Sequence, residues 1–116
     1  MNEKKLKRER RHKRIRAKII GTALIPRLSV FRSNDRVFIQ LIDDSSGKTL
    51  ASVNKKEVKD TKGKNKTEVA FEMGKLMADK AKKINIEKIV FDKGGYRYHG
   101  RVRAVAEGAR ENGLEF

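Results

Sequence analysis

The hydrophobic period of this chain changes once, near residue 65, and that change limits the folds open to it. Upstream, Leu28 and Val30, then Val37, Ile39 and Leu41, sit two residues apart with polar or aromatic neighbours between them. A period of two places such residues on one face of a strand. Downstream, Val69, Met73, Leu76, Met77, Ala81 and Ile84 recur at steps of three and four, which draws one stripe along a helix. A half-covered sheet and an amphipathic helix can each bury the other's apolar side.

The strands follow from the turns between them. Pro26, the single proline, biases Ile25 to an extended conformation, and 21–26 reads as a linker into the domain. A first strand spans 27–33. Ser33, Asn34, Asp35 and Arg36 make a tight turn, because Asn and Asp tolerate left-handed backbone. A second strand over 36–43 and a turn over 43–47 lead to a third strand over 48–54. Residues 55–64 form a lysine-rich loop. Asn65, with Glu68 three positions on, resembles a capping box that opens the first helix. Gly74, on the border of the stripe, suits close packing, whereas Phe71 falls outside the stripe and periodicity gives it no role.

Residues 87–91 are nearly all apolar, as a buried parallel strand would be. A second helix turns Val102, Val105, Ala106 and Ala109 inward and Arg103, Glu107 and Arg110 outward. Gly113 stands where a C-terminal cap belongs, with Leu114 and Phe116 folding back. The expected fold is α/β, in the order β-β-β-α-β-α. Its sheet is mixed and mostly antiparallel, with two helices packed on one face and a basic N-terminal arm. A right-handed crossover sets the fourth strand parallel to the first. The organisation is an arm over 1–20, flexible without a partner, and one domain over 21–116.

Charge points to the partner. The chain carries 30 Lys+Arg against 15 Asp+Glu, a net charge of +15. That excess repels itself in a compact state and favours a polyanion. Residues 1–20 hold ten basic and two acidic side chains, net +8, with good helix formers but no apolar stripe before Ile15. Such a segment buries too little to order itself, so it reads either as a solvated tail, as most charge runs are, or as an arm that folds on RNA, which the basic remainder of the chain favours. Arg8, Arg10, Arg11, Lys13, Arg14 and Arg16 are its phosphate-tracking candidates.

Other classes fit poorly. No cysteine is present, and His12 and His99 lack ligand-spaced neighbours, which argues against a zinc site. No cofactor is expected. No run of 18 apolar residues exists and the N-terminus has no apolar core of a secretory signal, so neither a membrane span nor secretion is expected; the cytoplasmic location expected of the chain goes with the resemblance given below. Gly47-Lys48-Thr49 ends like a phosphate-binding P-loop, but Ile42 occupies the place of the required glycine. Asp43 and Asp44, with Asp92, could be the carboxylates of a metal-dependent nuclease, yet the first strand offers no acid to complete the set. A free basic chaperone or nucleoid protein is a third reading.

The richest stretch is Lys93-Gly94-Gly95-Tyr96-Arg97-Tyr98-His99-Gly100-Arg101-Val102-Arg103. Glycines admit close backbone approach, tyrosines offer faces for bases, and arginines offer forked donors for phosphate. Tyr96 and Tyr98 alternate, so one can serve the core and the other a contact. No Ser or Cys nucleophile accompanies His99 in this stretch, so it suits hydrogen bonding or stacking better than catalysis. Arg27 and Arg32 of the first strand are further candidates for RNA contact.

Three stretches together carry a family resemblance: 26–34 (PRLSVFRSN), 47–52 (GKTLAS) and 91–102 (FDKGGYRYHGRV). In order and spacing the chain, from about Arg10 to Phe116, resembles the bacterial large-subunit ribosomal protein L-eighteen family. Two departures are Lys93, where the family often has arginine, and a shorter 55–64 loop. The resemblance implies a non-catalytic constituent of the large ribosomal subunit, monomeric when free. It implies binding to 5S rRNA beside another 5S-binding protein, and attachment of 5S to 23S rRNA in the central protuberance. It adds Ser29, Phe31 and Ser33 to the contact candidates.

Overall fold

The computed structural model describes residues 3–16, 20–32, 37–59, 61–92 and 100–116, with the arm's side chains described for 4–10. The elements are α1 (Glu3–Arg16), β1 (Arg27–Arg32), β2 (Val37–Asp43), β3 (Lys48–Asn54), α2 (Lys66–Lys83), β4 (Val90–Asp92) and α3 (Gly100–Glu111), with a 3-10 turn at Lys55–Glu57. After the arm the order is the expected β-β-β-α-β-α. Residues 3–16 of the arm, for which the sequence predicted no ordered element, are helical, and their described side chains are exposed apart from a half-buried Arg8.

The sheet runs β3-β2-β1-β4. β1 pairs antiparallel with β2, β2 with β3, and β1 parallel with β4. A bulge between Leu41 and Ile42 shifts the β2–β3 register, so that Leu41 faces Ala51 and Ile42 faces Thr49. The alternation then sorts the faces. Leu28, Val30, Val37, Ile39, Leu41 and Val53 are buried under the helices, while Phe31 stays 63% exposed on the other side. Truncating a fully buried side chain such as Leu41 to alanine costs about 2–5 kcal/mol, since it removes apolar contact and leaves a cavity.

α2 starts at Asn65, whose side chain accepts from the Glu68 amide at 2.8 Å. The reciprocal capping box forms at Asn54 and Glu57, at the head of the 3-10 turn. α2 buries Val69, Met73, Met77 and Ala81 as expected, but Ile84 is 43% exposed. That expectation fails because the helix ends first: Ile84 is its cap and Asn85 turns to φ 62°. The Ile86 and Asn85 amides then return to the Ala81 and Lys82 carbonyls, a Schellman closure. α3 ends the same way at Gly113, φ 102°, with the Leu114 amide on the Ala109 carbonyl.

Phe71 is explained by α3. A Cβ on Gly74 would strike the Val105 carbonyl, and one on Gly108 would strike the Phe71 carbonyl. Two glycines thus let the helix backbones touch, and Phe71 packs half-buried against the core beside that crossing. β4 is shorter than expected and lies at a sheet edge. The C-terminus runs beside the residues leading into it: the Ile89 amide donates to the Glu115 carbonyl and the Glu115 amide to the Glu87 carbonyl. Phe116 stacks on Phe91 with centroids 5.5 Å apart, and the Arg110 guanidinium lies 4.2 Å over the Phe116 ring.

Candidate nucleic-acid interface

Strand direction decides what meets what. β2 is antiparallel to both β1 and β3, and β4 is parallel to β1, so β1, β3 and β4 all finish at one end of the sheet. At that end β1, β3 and β4 hand on to residues 33–36, 55–65 and 93–99 of the sequence. Residues 55–66 contain six lysines and two acids. Arg101, in the first turn of α3, lines the same depression as Lys55, Lys64, Lys66 and Val37. The lysines of this connection were not among the contact candidates. Only the fold brings them beside Arg101, and a lysine-rich loop alone gave no reason to choose them.

Of the sequence candidates, Lys93, Gly94, Gly95, Tyr96, Arg97, Tyr98, His99 and Ser33 lie outside the described residues, as do the side chains of Arg11, Lys13, Arg14, Arg16 and Arg32. The tight turn expected at 33–36 is likewise outside them. Arg8 and Arg10 lie on α1. Gly100, at φ 57°, opens α3 in left-handed backbone, which favours glycine there. Arg103 is exposed and donates to Glu107 at 2.8 Å, an i,i+4 surface pair. Such a pair is worth under about 1 kcal/mol, so a phosphate can replace its carboxylate at small cost.

Ser29 and Phe31 lie on the sheet face that the helices leave open. Phe31 stands directly opposite Phe38 of β2, and Ser29 opposite Gln40. Phe38 was not among the contact candidates either. The alternation put it on the outer face, but only the register makes it Phe31's neighbour. The patch is aromatic and uncharged, which suits stacking rather than phosphate binding.

Arg27 is a correction. It was expected to contact RNA, yet it is 7% exposed and its guanidinium is fully engaged inside the protein. Nε and Nη2 donate to the two Asp44 oxygens at 3.1 Å each, and Nη1 donates to Asp92 Oδ2 at 2.8 Å. Burial disfavours its charge, but hydrogen bonds and attraction from Asp44 and then Asp92 outweigh that and hold its pKa above the usual arginine value. The physical reason for the miss is that β1 begins at the opposite end of the sheet, beside the 43–47 turn.

The same network binds the root of the arm. The Gly21 amide donates to Asp44 Oδ2 at 2.7 Å, and the Asp44 amide donates to the Gly21 carbonyl at 3.0 Å. A Cβ on Gly21 would collide with the Arg27 backbone, so the close approach needs glycine. Segment 21–26 is therefore a fastened turn rather than a loose linker. The carboxylates weighed as a nuclease set have other work: Asp44 and Asp92 are Arg27's counter-ions. Asp43 accepts from Ser45 and Ser46, which hold its pKa below the usual aspartate value, Ser45 most. Among the described residues no three His, Asp or Glu side chains gather as a metal site.

Fold and site define a small basic α/β protein that gathers cations at one end of its sheet and holds them on an ion-paired frame. A family profile described as ribosomal L18 of archaea, bacteria, mitochondria and chloroplast matches residues 2–116, and the chain belongs to that family. It is 57% identical to large ribosomal subunit protein uL18 of Limosilactobacillus reuteri, over 94% of this chain and 92% of the relative. It is 53% identical to the uL18 of Pediococcus pentosaceus, over 98% and 96%. With the uL18 of Streptococcus suis the identity is 54%, over 94% and 89%.

Proposed function

We propose that this chain is a structural, non-catalytic constituent of the large ribosomal subunit that binds 5S rRNA and helps fasten it to 23S rRNA. One observation carries the reading: β1, β3 and β4 finish at one end of the sheet, where the lysine-rich 55–65 connection leaves β3 and the basic 93–99 stretch follows β4 in sequence, next to an open face bearing Phe31 and Phe38. Helices fill the other face, so RNA meets the strand ends and the open face. Duplex RNA hides its base edges in a deep, narrow groove, so selectivity rests on folded shape, 2′-hydroxyls and unpaired bases.

In this reading the arm supplies affinity through phosphates, and the glycine–tyrosine stretch with Arg101 supplies selectivity. Family membership supports the ribosomal setting; a place in the central protuberance, a neighbouring 5S-binding protein and a monomer before assembly belong to the proposal. The test is competition binding at about 0.15 M salt, where exposed charges separated by more than a Debye length are screened. The purified chain is expected to prefer 5S rRNA over transfer RNA and duplex DNA. Equal affinity for all three refutes the proposal.

A further inference from the structure

One guanidinium joins two segments that the chain keeps far apart. Arg27 donates to both Asp44 oxygens and to Asp92, and Asp44 holds Gly21 through both its carboxylate and its amide. Gly21 is the first residue after the basic arm, and Asp92 is the last before the glycine–tyrosine stretch. The turn between Gly21 and Arg27 is closed on itself. The Thr22 amide donates to the Ile25 carbonyl at 3.0 Å, and the Ile25 amide to the Thr22 hydroxyl at 3.1 Å. Pro26 is buried, and its carbonyl accepts from the Val90 amide at 3.0 Å, which ties the turn to β4 as well. Buried ion pairs are a costly way to hold a sheet, because taking the charges out of water offsets much of their attraction, and apolar side chains can hold it as firmly. What forked hydrogen bonds add is direction.

We propose that Asp44 is a positioning residue for RNA binding: by clasping Gly21 to Arg27, and through Arg27 to Asp92, it fixes where the arm leaves the domain relative to the stretch after β4. As an anion Asp44 gains nothing from touching phosphate, so its effect on RNA comes through Gly21 and Arg27. Two contact segments held at a set spacing bind one RNA as a linked pair, since the second meets it at an effective concentration fixed by the first. A preorganised root also removes an ordering cost that binding would otherwise carry. Without the clasp the arm would hang from Pro26, with five more free residues, 21–25, and about 12 Å of added excursion. The inference rests on the proposed RNA binding and deepens it, by giving the end of the sheet where β1 begins a part in that binding.

The experiment measures 5S rRNA affinity of the full chain and two variants at one salt concentration, below the denaturation range that urea unfolding sets for each. Gly21→Ala alters no charge, but its Cβ would strike the Arg27 backbone nitrogen and so force the root off the clasp. Asp44→Ala opens the clasp from the other side. Each is expected to bind 5S rRNA about tenfold more weakly, as for a lowered effective concentration. The same substitutions are then made in a chain whose arm carries Arg10→Gln, Arg11→Gln, Lys13→Gln and Arg14→Gln. There each is expected to cost less than about twofold, because little arm binding is left to lose. A merely structural defect costs the same in both backgrounds, so equal losses overturn the inference. Wild-type affinity in both variants overturns it, and so does a loss confined to Asp44→Ala, since the root would then not matter. A wild type that still prefers 5S rRNA over transfer RNA leaves the proposed function standing in all three cases. A wild type without that preference removes the function itself.

Discussion

At the end of the sheet where β1 begins, a cation is buried between two carboxylates. At the end where β1, β3 and β4 finish, cations outnumber acids in the sequence, and Lys55, Lys56, Lys59, Lys62 and Lys66 are exposed. Arg27 and Arg101 show the difference. Both are arginines near a strand or helix start, but one is sealed into the fold and the other lines an open depression. At the first end a charge is held by internal pairing, and at the second the proposed role is contact with an external polyanion. The first end also fixes the geometry of the second, because Asp92 immediately precedes the 93–99 segment and Gly21 follows the arm.

The largest expected effect tests the sealed end. Arg27→Met leaves Asp92, fully buried, without its guanidinium partner. Breaking a buried pair from one side costs about 3–5 kcal/mol, to be read from urea unfolding. Arg27→Met with Asp92→Asn is expected to recover part of that loss. A single variant as stable as wild type breaks the contrast, since Arg27 would then be no part of the frame.

Next in size are the selectivity contacts. Tyr98→Ala and Arg101→Ala are each expected to lose about 1–3 kcal/mol of 5S rRNA affinity, as for a base stack or a forked contact. Stability is expected to change less than in Arg27→Met. Titration of each variant with 5S rRNA checks this, and wild-type affinity in both takes the second end out of the interface.

Removing residues 1–18 is expected to flatten the salt dependence of binding while keeping most of the preference for 5S rRNA. Measured slopes of affinity against salt decide it. If preference disappears and the slope does not change, affinity and selectivity are not divided as proposed.

The smallest effect is on pH. Asp43 has its folded pKa lowered by Ser45 and Ser46, and Glu57 has its own lowered chiefly by the Lys80 hydrogen bond. A carboxylate with a lowered folded pKa adds stability above its ordinary value, and that stability is lost as pH falls through the folded value. Unfolding followed from neutral pH into the acid range should show the loss, and Asp43→Asn should make the decline shallower. An unchanged slope in the variant removes Asp43 from the account.

Much was legible in advance because it depends on local pattern. Alternation found the inner face of β1 and β2, the 3.6 period found α2 and α3, and Gly113 marked a helix end. Ile84 was misjudged because periodicity says which face a residue is on, not where the helix stops. Phe71 had no reading because its partner is a second helix, brought close by Gly108 against Phe71 and Gly74 against Val105, 37 and 31 residues apart in the chain. Arg27 was misread because its composition and position suit a surface cation as well as a buried one.

The sequence by itself determined the element types, the basic character and the family, since charge and side-chain period belong to the chain before it folds. Tertiary structure alone decided which cations face outward. That choice depends on strand direction and register, which bring Asp44 and Asp92 to Arg27 and leave Lys64, Lys66 and Arg101 around an open depression. Long-range electrostatic partners are set by distances through space, and spacing along the chain does not contain them.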